Sequence, residues 1–505
     1  MSLKNPQSLA NIILPLVIVL VFITSYSYVY DSKLDLNGDN ANYYMLGKSI
    51  ATGEGFTNVS GINKSPNNHF PPGYPAIISV IITVFNDSIE TLKLFNGFFF
   101  LFSGLLLFYL IKSITNNQAT ATIVSIALLL NTHYLRYATI IMTEVPFLLF
   151  SLLTIICFIK SDKRTDFWKD PFFYLTLLSF GTAYYIKTSG IALLGAIILY
   201  LVINQKWKEV TAYTGAFVVL FIPWFLRSQN LGGNSYMKQL VMINPYRPEL
   251  GQAELTNYID RFFANIIRYI SKEIPNADFP FITVDYRAEA SLGMWVLGLL
   301  IITLTLYGIW QIKQYRLLIL AYVIGTFGIL SLWPDVWVGV RFMLPIVPFI
   351  LLGLIHGINS ILSKLIPNKP ITHWAIALII IGLIPNLSLL HKQSITKYGS
   401  NWENYFDLAK WAKSNLDPNT VISCRKPTMF YLYSGTYTSR YKYTEDNNEL
   451  LDDLEKRQVD YVILDQLGYS STVRYLYPAI SNNPERFSLI KHLESPDTYL
   501  LKFNK

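Results

Sequence analysis

The sequence predicts a polytopic α-helical membrane protein with a small C-terminal α/β soluble domain on its outer face. Three observations lead there. The 505 residues are 52% hydrophobic and only 15% charged, against roughly 25% charged in ordinary globular domains. Mean hydropathy is +0.34 over the whole length, so the excess is spread along the chain and not confined to one anchor. After residue 390 the character changes: 15 Lys and Arg accompany 14 Asp and Glu in 391–505. These numbers exclude a cytosolic enzyme, a disordered chain and a secreted disulfide scaffold. The two cysteines, Cys157 in an apolar run and Cys424 in a polar region, supply neither a disulfide framework nor a thiolate metal site.

The first apolar run, Leu9 to Tyr30, is long enough to cross a hydrocarbon core of ~30 Å. No small-x-small cleavage site follows it, so it reads as a retained span. Further runs centre on 92–112, 119–131, 144–160, 172–186, 190–203, 211–227, 291–311, 317–332, 342–362 and 372–390. That makes eleven spans, with 75–86 as a half-buried interfacial segment. Lys4, Lys112, Lys160, Lys163, Arg164, Lys169, Lys206, Lys208, Lys313, Arg316, Lys364 and Lys369 fall in short loops on one side. By the positive-inside rule that side is cytoplasmic. The net charge of +8 is then a topology signal and calls for no nucleic acid. The long loops 31–74 and 228–290, and everything after 390, fall outside. The expected location is the plasma membrane (the inner membrane in a bacterium), with the N-terminus inside and the C-terminal domain outside. The domains are 1–390 and 391–505.

In the tail, Asn404–Leu416 and Glu445–Arg457 have helical character, whereas Thr420–Ser423, Val459–Leu464 and Thr498–Phe503 read as strands. The alternation suggests a small parallel sheet. No Gly-rich phosphate loop and no internal repeat is present.

Ionisable groups near a bilayer are costly, about 2.5–3.5 kcal/mol at a helix centre. Six stand out: Asp39, His69, Glu144, Lys187, Asp335 and Arg341. In a topology set by other residues, all six fall on the outer face. One outward polar site is therefore expected at the membrane surface, with acids and cations together. Such a set suits transfer from a lipid-anchored phosphate. A carboxylate accepts the proton of an incoming hydroxyl, and Arg and Lys stabilise the charge that develops on the leaving phosphate.

The first loop reads GDNANYYMLGKSIATGEGF and is followed by HFPPGYPAIISV; MTEVPF and RFMLPIVPFILL come later. In order and spacing, over about residues 9–365, these segments resemble the ArnT-like and protein O-mannosyltransferase-like glycosyltransferases of GT-C fold. The resemblance implies a membrane transferase that takes a hexose or pentose from a polyprenyl-phosphate donor (dolichyl or undecaprenyl). It implies transfer on the non-cytoplasmic side, with inversion and without a sugar nucleotide. Asp39 matches the family's first-loop catalytic acid, Glu144 its second acidic position and Arg341 its late cation, with Lys187 joining Arg341 as a donor-phosphate contact. Tyr43, His69, Tyr74, Arg136, Tyr137 and Asp335 are further candidates for lining the cavity. Two departures stand out: Asn40 follows Asp39 where many mannosyltransferases have Asp-Glu, and Phe70 stands where the aminoarabinose branch has Lys.

Each residue also has a plainer reading. Asp39 has other loop acids beside it. Glu144 favours a helix N-terminus. Arg341 and Lys187 suit snorkelling, and Arg136 and Tyr137 suit interface anchors. Trp333 and Trp337 fit an aromatic belt. Tyr246, Arg247, Tyr258 and Arg261 in loop 228–290 suit a lid. His69 is a poor metal signature; no metal site is assigned, no cofactor is firmly implied, and a divalent cation is allowed. The expected partners are the bilayer, a polyprenyl-phosphate-linked sugar and a glycan, lipid or protein acceptor. The alternatives are a transporter or flippase of lipid-linked glycans, disfavoured by the lack of repeats and of midplane charges, and a non-catalytic scaffold.

Overall fold

The computed structural model describes residues 6–164, 166–365 and 371–505. Lys4 and Lys369, two cations of the expected inside loops, lie outside the described residues. The chain opens with α1 (Pro6–Val29), α2 (Gly38–Ala51), α3 (Gly73–Val84), α4 (Ile89–Thr115), α5 (Gln118–Leu130), α6 (Thr132–Ala138) and α7 (Glu144–Asp162). It continues with α8 (Pro171–Ile186), α9 (Ile191–Ile203), α10 (Trp207–Asn230), α11 (Ser235–Leu240), α12 (Leu255–Arg268) and α13 (Ile274–Asp278). The body closes with α14 (Leu292–Gln311), α15 (Arg316–Ser331), α16 (Val347–Leu365) and α17 (Ile371–Ile395).

Each of the eleven expected runs lies on one of these helices. Six are long and apolar enough to cross a membrane: Leu9–Val29, Ile89–Thr115, Glu144–Asp162, Trp207–Asn230, Leu292–Gln311 and Val347–Leu365. The protein is thus a multi-pass membrane protein. The run expected at 342–362 starts later, at Val347, because Val340–Phe342 form a separate 3-10 turn. In α1, Ile18, Phe22, Tyr26 and Val29 are buried, while Leu16, Leu20 and Ile23 stay exposed. This three-to-four spacing gives one face to the bundle and leaves an apolar face for lipid. The segment expected to be half-buried is α3, with Ile78 buried and Val80 and Val84 exposed.

The two long loops are not simple connections. Loop 31–74 contains α2. Loop 228–290 contains α11, α12, a π-helical turn at Tyr269–Glu273 and α13. The bundle has two chemically distinct ends. At one, Lys163, Lys313 and Arg316 line a shared groove, and Asp162 ties Lys206 at 2.6 Å, Tyr200 at 3.0 Å and Tyr315 at 3.1 Å. The other end carries α2, the α6–α7 turn, the α8–α9 turn and the turn before α16.

The tail folds as α18 (Ser400–Asn415), β1 (Val421–Ser423), α19 (Pro427–Ser434), β2 (Tyr437–Ser439), α20 (Asn447–Lys456), β3 (Tyr461–Leu464), α21 (Tyr477–Asn482), β4 (Phe487–Leu493) and β5 (Thr498–Phe503). Strand order is β2-β1-β3-β5-β4. The sheet is not all parallel as expected: β2, β1 and β3 run parallel, but β5 is antiparallel to both β3 and β4. The antiparallel β4–β5 pair is joined by a short turn that needs no helical crossover. One core of this domain gathers Trp402, Tyr405, Phe406, Ile422 and Phe430, and it includes Leu34 and Ala41 from the first loop. Polar contacts reinforce the seam: Thr428 Oγ1 donates to Asn42 Oδ1 at 2.6 Å, Tyr398 Oη to the Leu34 carbonyl at 2.8 Å and the Thr438 amide to the Ser60 carbonyl at 2.7 Å. The sheet domain is thereby welded to the α2 end of the bundle.

The α6 turn is fastened to α13 in the same region. Asn131 Nδ2 donates to the Ala277 carbonyl at 2.7 Å, and His133 Nε2 sits 3.2 Å from the Asn276 carbonyl. Burial pushes the His133 imidazole down to about 4. Above the unfolded value of ~6.5 both states are neutral, and below it only the unfolded chain takes the proton. Thermal stability in detergent should therefore fall as pH drops from 6.5 toward 4, by about 3 kcal/mol at most from this residue. A melting series of His133→Gln should show a flatter slope over that window than the parent; an identical slope would remove His133 as the cause.

Candidate active site: a four-residue ion cluster at a cavity

Asp39 is the second residue of α2. Asn37 caps this helix, its side-chain oxygen accepting the Asp39 amide at 3.2 Å, so the carboxylate is fixed in the first turn. Glu144 opens α7. Lys187 ends α8 in an extended conformation. Arg341 sits in the Val340–Phe342 turn, immediately after Gly339 with φ +117°. Few residues other than glycine adopt that backbone, so Gly339 lets the chain turn Arg341 inward. A second glycine acts by close approach: a Cβ on Gly73 would lie 2.5 Å from the Tyr185 carbonyl carbon. The Pro-Pro-Gly-Tyr-Pro segment thus lets α3 press on the end of α8, two residues from Lys187.

These four side chains meet. Arg341 donates from Nη1 to Asp39 Oδ2 at 3.0 Å and from Nε to Glu144 Oε1 at 2.6 Å. Lys187 Nζ donates to the same Glu144 oxygen at 2.9 Å. Acid and cation alternate, so the set is formally neutral. Glu144 is wholly buried, whereas 32% of the Asp39 side chain is exposed. Glu144 thus holds the two cations, and Asp39 faces the space in front of them. That space is a cavity of about 230 Å³ lined by Asp39, Tyr43, His69, Lys187, Arg341 and a group of aromatic residues.

The other expected residues divide. Tyr43 lines the cavity, and Tyr74 stands behind it, edge-on to Tyr43 with its hydroxyl 3.0 Å from Asn96 Oδ1. His69 lines the wall, its Nδ1 2.9 Å from Ser235 Oγ, and burial lowers its pKa. Arg136 does not share the cavity; it is mostly exposed, 3.7 Å from Asp35, and lines a separate groove. Tyr137 is half-buried among core residues and is not among those lining the cavity. Asp335 also falls outside it: its side chain is exposed, and it is the main-chain carbonyl that accepts from Arg268, at 2.6 Å. Among the described residues no group of three His, Cys, Asp or Glu could hold a metal. Arg341 fills the position between the two acids, so this site does not fit a divalent cation. Both cysteines are buried and free.

Several cavity residues escaped the sequence reading. Trp333 and Trp337, which read as belt residues, face the cavity with Tyr236, Tyr246 and Phe342. Tyr236 stacks on Trp337 with centroids 5.4 Å apart. The Trp-bearing turn is clamped from behind by α12: Asn265 Nδ2 donates to the Ser331 and Trp333 carbonyls at 3.0 and 2.8 Å, and Arg268 binds the Asp335 carbonyl and Glu273. Of the four residues expected to form a lid, Tyr246 lines the cavity, while Arg261 is buried and anchors the Leu240 carbonyl at 2.9 Å. The departure at Asn40 has a structural reason. This buried amide accepts the Ile141 amide at 2.7 Å and donates to Asp35 and to the Asn37 carbonyl, each at 3.2 Å. It ties α2 to the turn before Glu144, and a carboxylate would lose both donated bonds and face Asp35.

A helical bundle with a charged cavity at the end that carries a sheet domain is GT-C architecture, and known proteins share it. Residues 69–226 match the dolichyl-phosphate-mannose-protein mannosyltransferase family. ArnT from Cupriavidus metallidurans bound to undecaprenyl phosphate superposes with TM-score 0.62 at 12% identity, over 96% of this chain and 97% of that one. The oligosaccharyltransferase of Archaeoglobus fulgidus, in complex with Zn and sulfate, superposes with TM-score 0.58 at 11% identity, over 97% of this chain and 73% of that one. No curated protein matches the chain in sequence. The chain thus has the GT-C fold.

Removing one partner of a buried ion pair costs about 3–5 kcal/mol, because the other charge is left uncompensated. Glu144→Gln should therefore lower the melting temperature more than Asp39→Asn, whose carboxylate is part-exposed. Thermal denaturation of the two variants side by side checks this, and equal shifts would count against Glu144 as the hub. Asn40→Asp should also destabilise, by about 1–3 kcal/mol for the unmade bonds, and Asn40→Ser less so.

Proposed function

We propose that the protein is an inverting glycosyltransferase that moves a hexose or pentose from a polyprenyl-phosphate donor to an acceptor hydroxyl on the non-cytoplasmic side of the membrane. The observation that carries this reading is the pairing of a part-exposed carboxylate, Asp39, with two cations held by a buried one, Glu144.

The donor phosphate would sit against Lys187 and Arg341. Lys187 spends one of its three N–H donors on Glu144, and Arg341 has a terminal nitrogen, Nη2, without a partner among the described residues. Arg presents its remaining donors in a plane that matches phosphate oxygens. As the acceptor oxygen bonds to the anomeric carbon, its proton passes to Asp39. The bond from that carbon to the phosphate oxygen breaks, and the electron pair leaves with the polyprenyl phosphate, where the two cations stabilise it. Attack opposite the leaving group inverts the anomeric centre. A phosphate drawn to Arg341 loosens its hold on Asp39 and makes that carboxylate a better proton acceptor. The aromatic wall of Tyr236, Trp333 and Trp337 offers flat apolar faces to the sugar. The basic loops at the far end would face the cytoplasm, and the C-terminal domain would lie outside with the cavity.

Asp39→Asn should lose about 10²–10⁴-fold in transfer, the range of a general base, and keep undecaprenyl phosphate binding. Lys187→Met should weaken that binding. Transfer in membranes, with binding followed by calorimetry on the purified protein, separates the two effects. Full transfer by Asp39→Asn would sink the mechanism.

A further inference from the structure

The C-terminal domain places cations near the head of α2, the helix of Asp39, that the reaction above does not use. The stretch Arg425–Lys426 links β1 to α19, which packs on α2 through the Thr428–Asn42 bond. Lys426 reaches the start of α2: a Cβ on Gly38, the residue before Asp39, would lie 3.2 Å from its Nζ. Its backbone is held on both sides by the Tyr405 hydroxyl, at 3.1 and 3.3 Å. Arg425 lies over the Tyr469 ring at 4.2 Å, donates from Nε to Ser471 at 2.7 Å and leaves its two terminal nitrogens unbonded among the described residues. Lys426 Nζ shares the Tyr469 ring at 4.6 Å. Arg440, exposed, directly follows β2, whose Ser439 pairs with Ser423 of β1 and accepts the Cys424 amide at 3.0 Å, so it lies beside the start of the Arg425–Lys426 stretch.

None of the three has a carboxylate within 4 Å among the described residues, although seventeen other Lys and Arg residues do. Asp39, the nearest acid at the head of α2, is already bound to Arg341. A cation at the positive end of a helix is electrostatically unfavourable. Burial and Arg425 together push the Lys426 ammonium down to about 8, against a partial offset from Asp39. An anion between Lys426, Arg425 and the α2 terminus would relieve all three. Fork-shaped guanidinium donors beside an ammonium and an aromatic ring suit a phosphate.

We propose that Arg425, Lys426 and Arg440 form an anion subsite for the acceptor, so that the acceptor carries a phosphate next to the hydroxyl that Asp39 deprotonates. The acceptor role rests on the transferase reading above; the anion site does not. The donor phosphate takes Lys187 and Arg341, and the acceptor phosphate takes the cations near the head of α2.

The test uses the purified full-length protein in detergent, titrated calorimetrically with inorganic pyrophosphate and, separately, with undecaprenyl phosphate. Arg425→Gln combined with Lys426→Met should weaken pyrophosphate about tenfold or more, as expected for lost charge-assisted bonds, and leave undecaprenyl phosphate within about twofold. Arg341→Gln should do the reverse. Lys426→Arg should restore most pyrophosphate binding, and a melting curve confirms that each variant is folded. Parent-like pyrophosphate binding by the double variant would overturn the subsite. Equal loss of both ligands would overturn it as well, since the cluster would then belong to the donor. Pyrophosphate binding that follows the cluster in a protein that transfers no sugar from any polyprenyl-phosphate donor would keep the anion site and defeat the transferase reading instead.

Discussion

The guanidinium of Arg341 is the contact on which the rest of the site depends. It bridges Asp39 and Glu144, which come from helices separated by more than a hundred residues, and Glu144 in turn fixes Lys187. Three segments of the bundle meet on this one group, and Glu144 brings in a fourth. A planar cation with five donors can serve two carboxylates and still offer bonds to a third anion; an ammonium has neither the geometry nor the count. The neutral sum of the set also matters. Burying it is tolerable because each charge has a partner, yet the balance changes sign when a phosphate enters.

Much of the remaining structure holds that contact in register. Gly339 turns the chain so that Arg341 points inward, and α12 grips the carbonyls of the turn before it. Gly73 lets α3 press on the end of α8 near Lys187. Asn40 links α2 to the turn preceding Glu144. Three motif positions that carry no charge therefore set the distances between those that do. Helix α12 does this with an inverted arrangement: Asn265 and Arg261 are buried against the protein, while Leu255, Ile259 and Phe263 are exposed. Its apolar face suits the lipid boundary.

The spans and the four charged residues were legible because both leave strong one-dimensional signals. Long apolar runs are dictated by bilayer thickness, and an acid or cation that survives at the edge of such a run stands out. Asp335 and Arg136 show the limit of that logic, for being at the right depth does not decide which way a side chain points. Trp333 and Trp337 were legible as aromatic residues near the surface but not as a cavity wall, since a belt and a wall have the same composition. The parallel sheet was expected from alternation alone; β4 and β5 are adjacent antiparallel strands, and period-two patterns do not encode strand direction. The role of Asn40 needed the partner amide at Ile141, a hundred positions away.

The first loop lends Leu34 and Ala41 to the hydrophobic core of the sheet domain, and this has a consequence for how such proteins can be recombined. A natural or engineered exchange of the C-terminal domain alone would leave apolar holes on one parent and unmatched bulk on the other, at the foot of the helix that bears Asp39. The heritable unit is discontinuous: residues 31–74 and the tail must travel together while the spans between them stay constant.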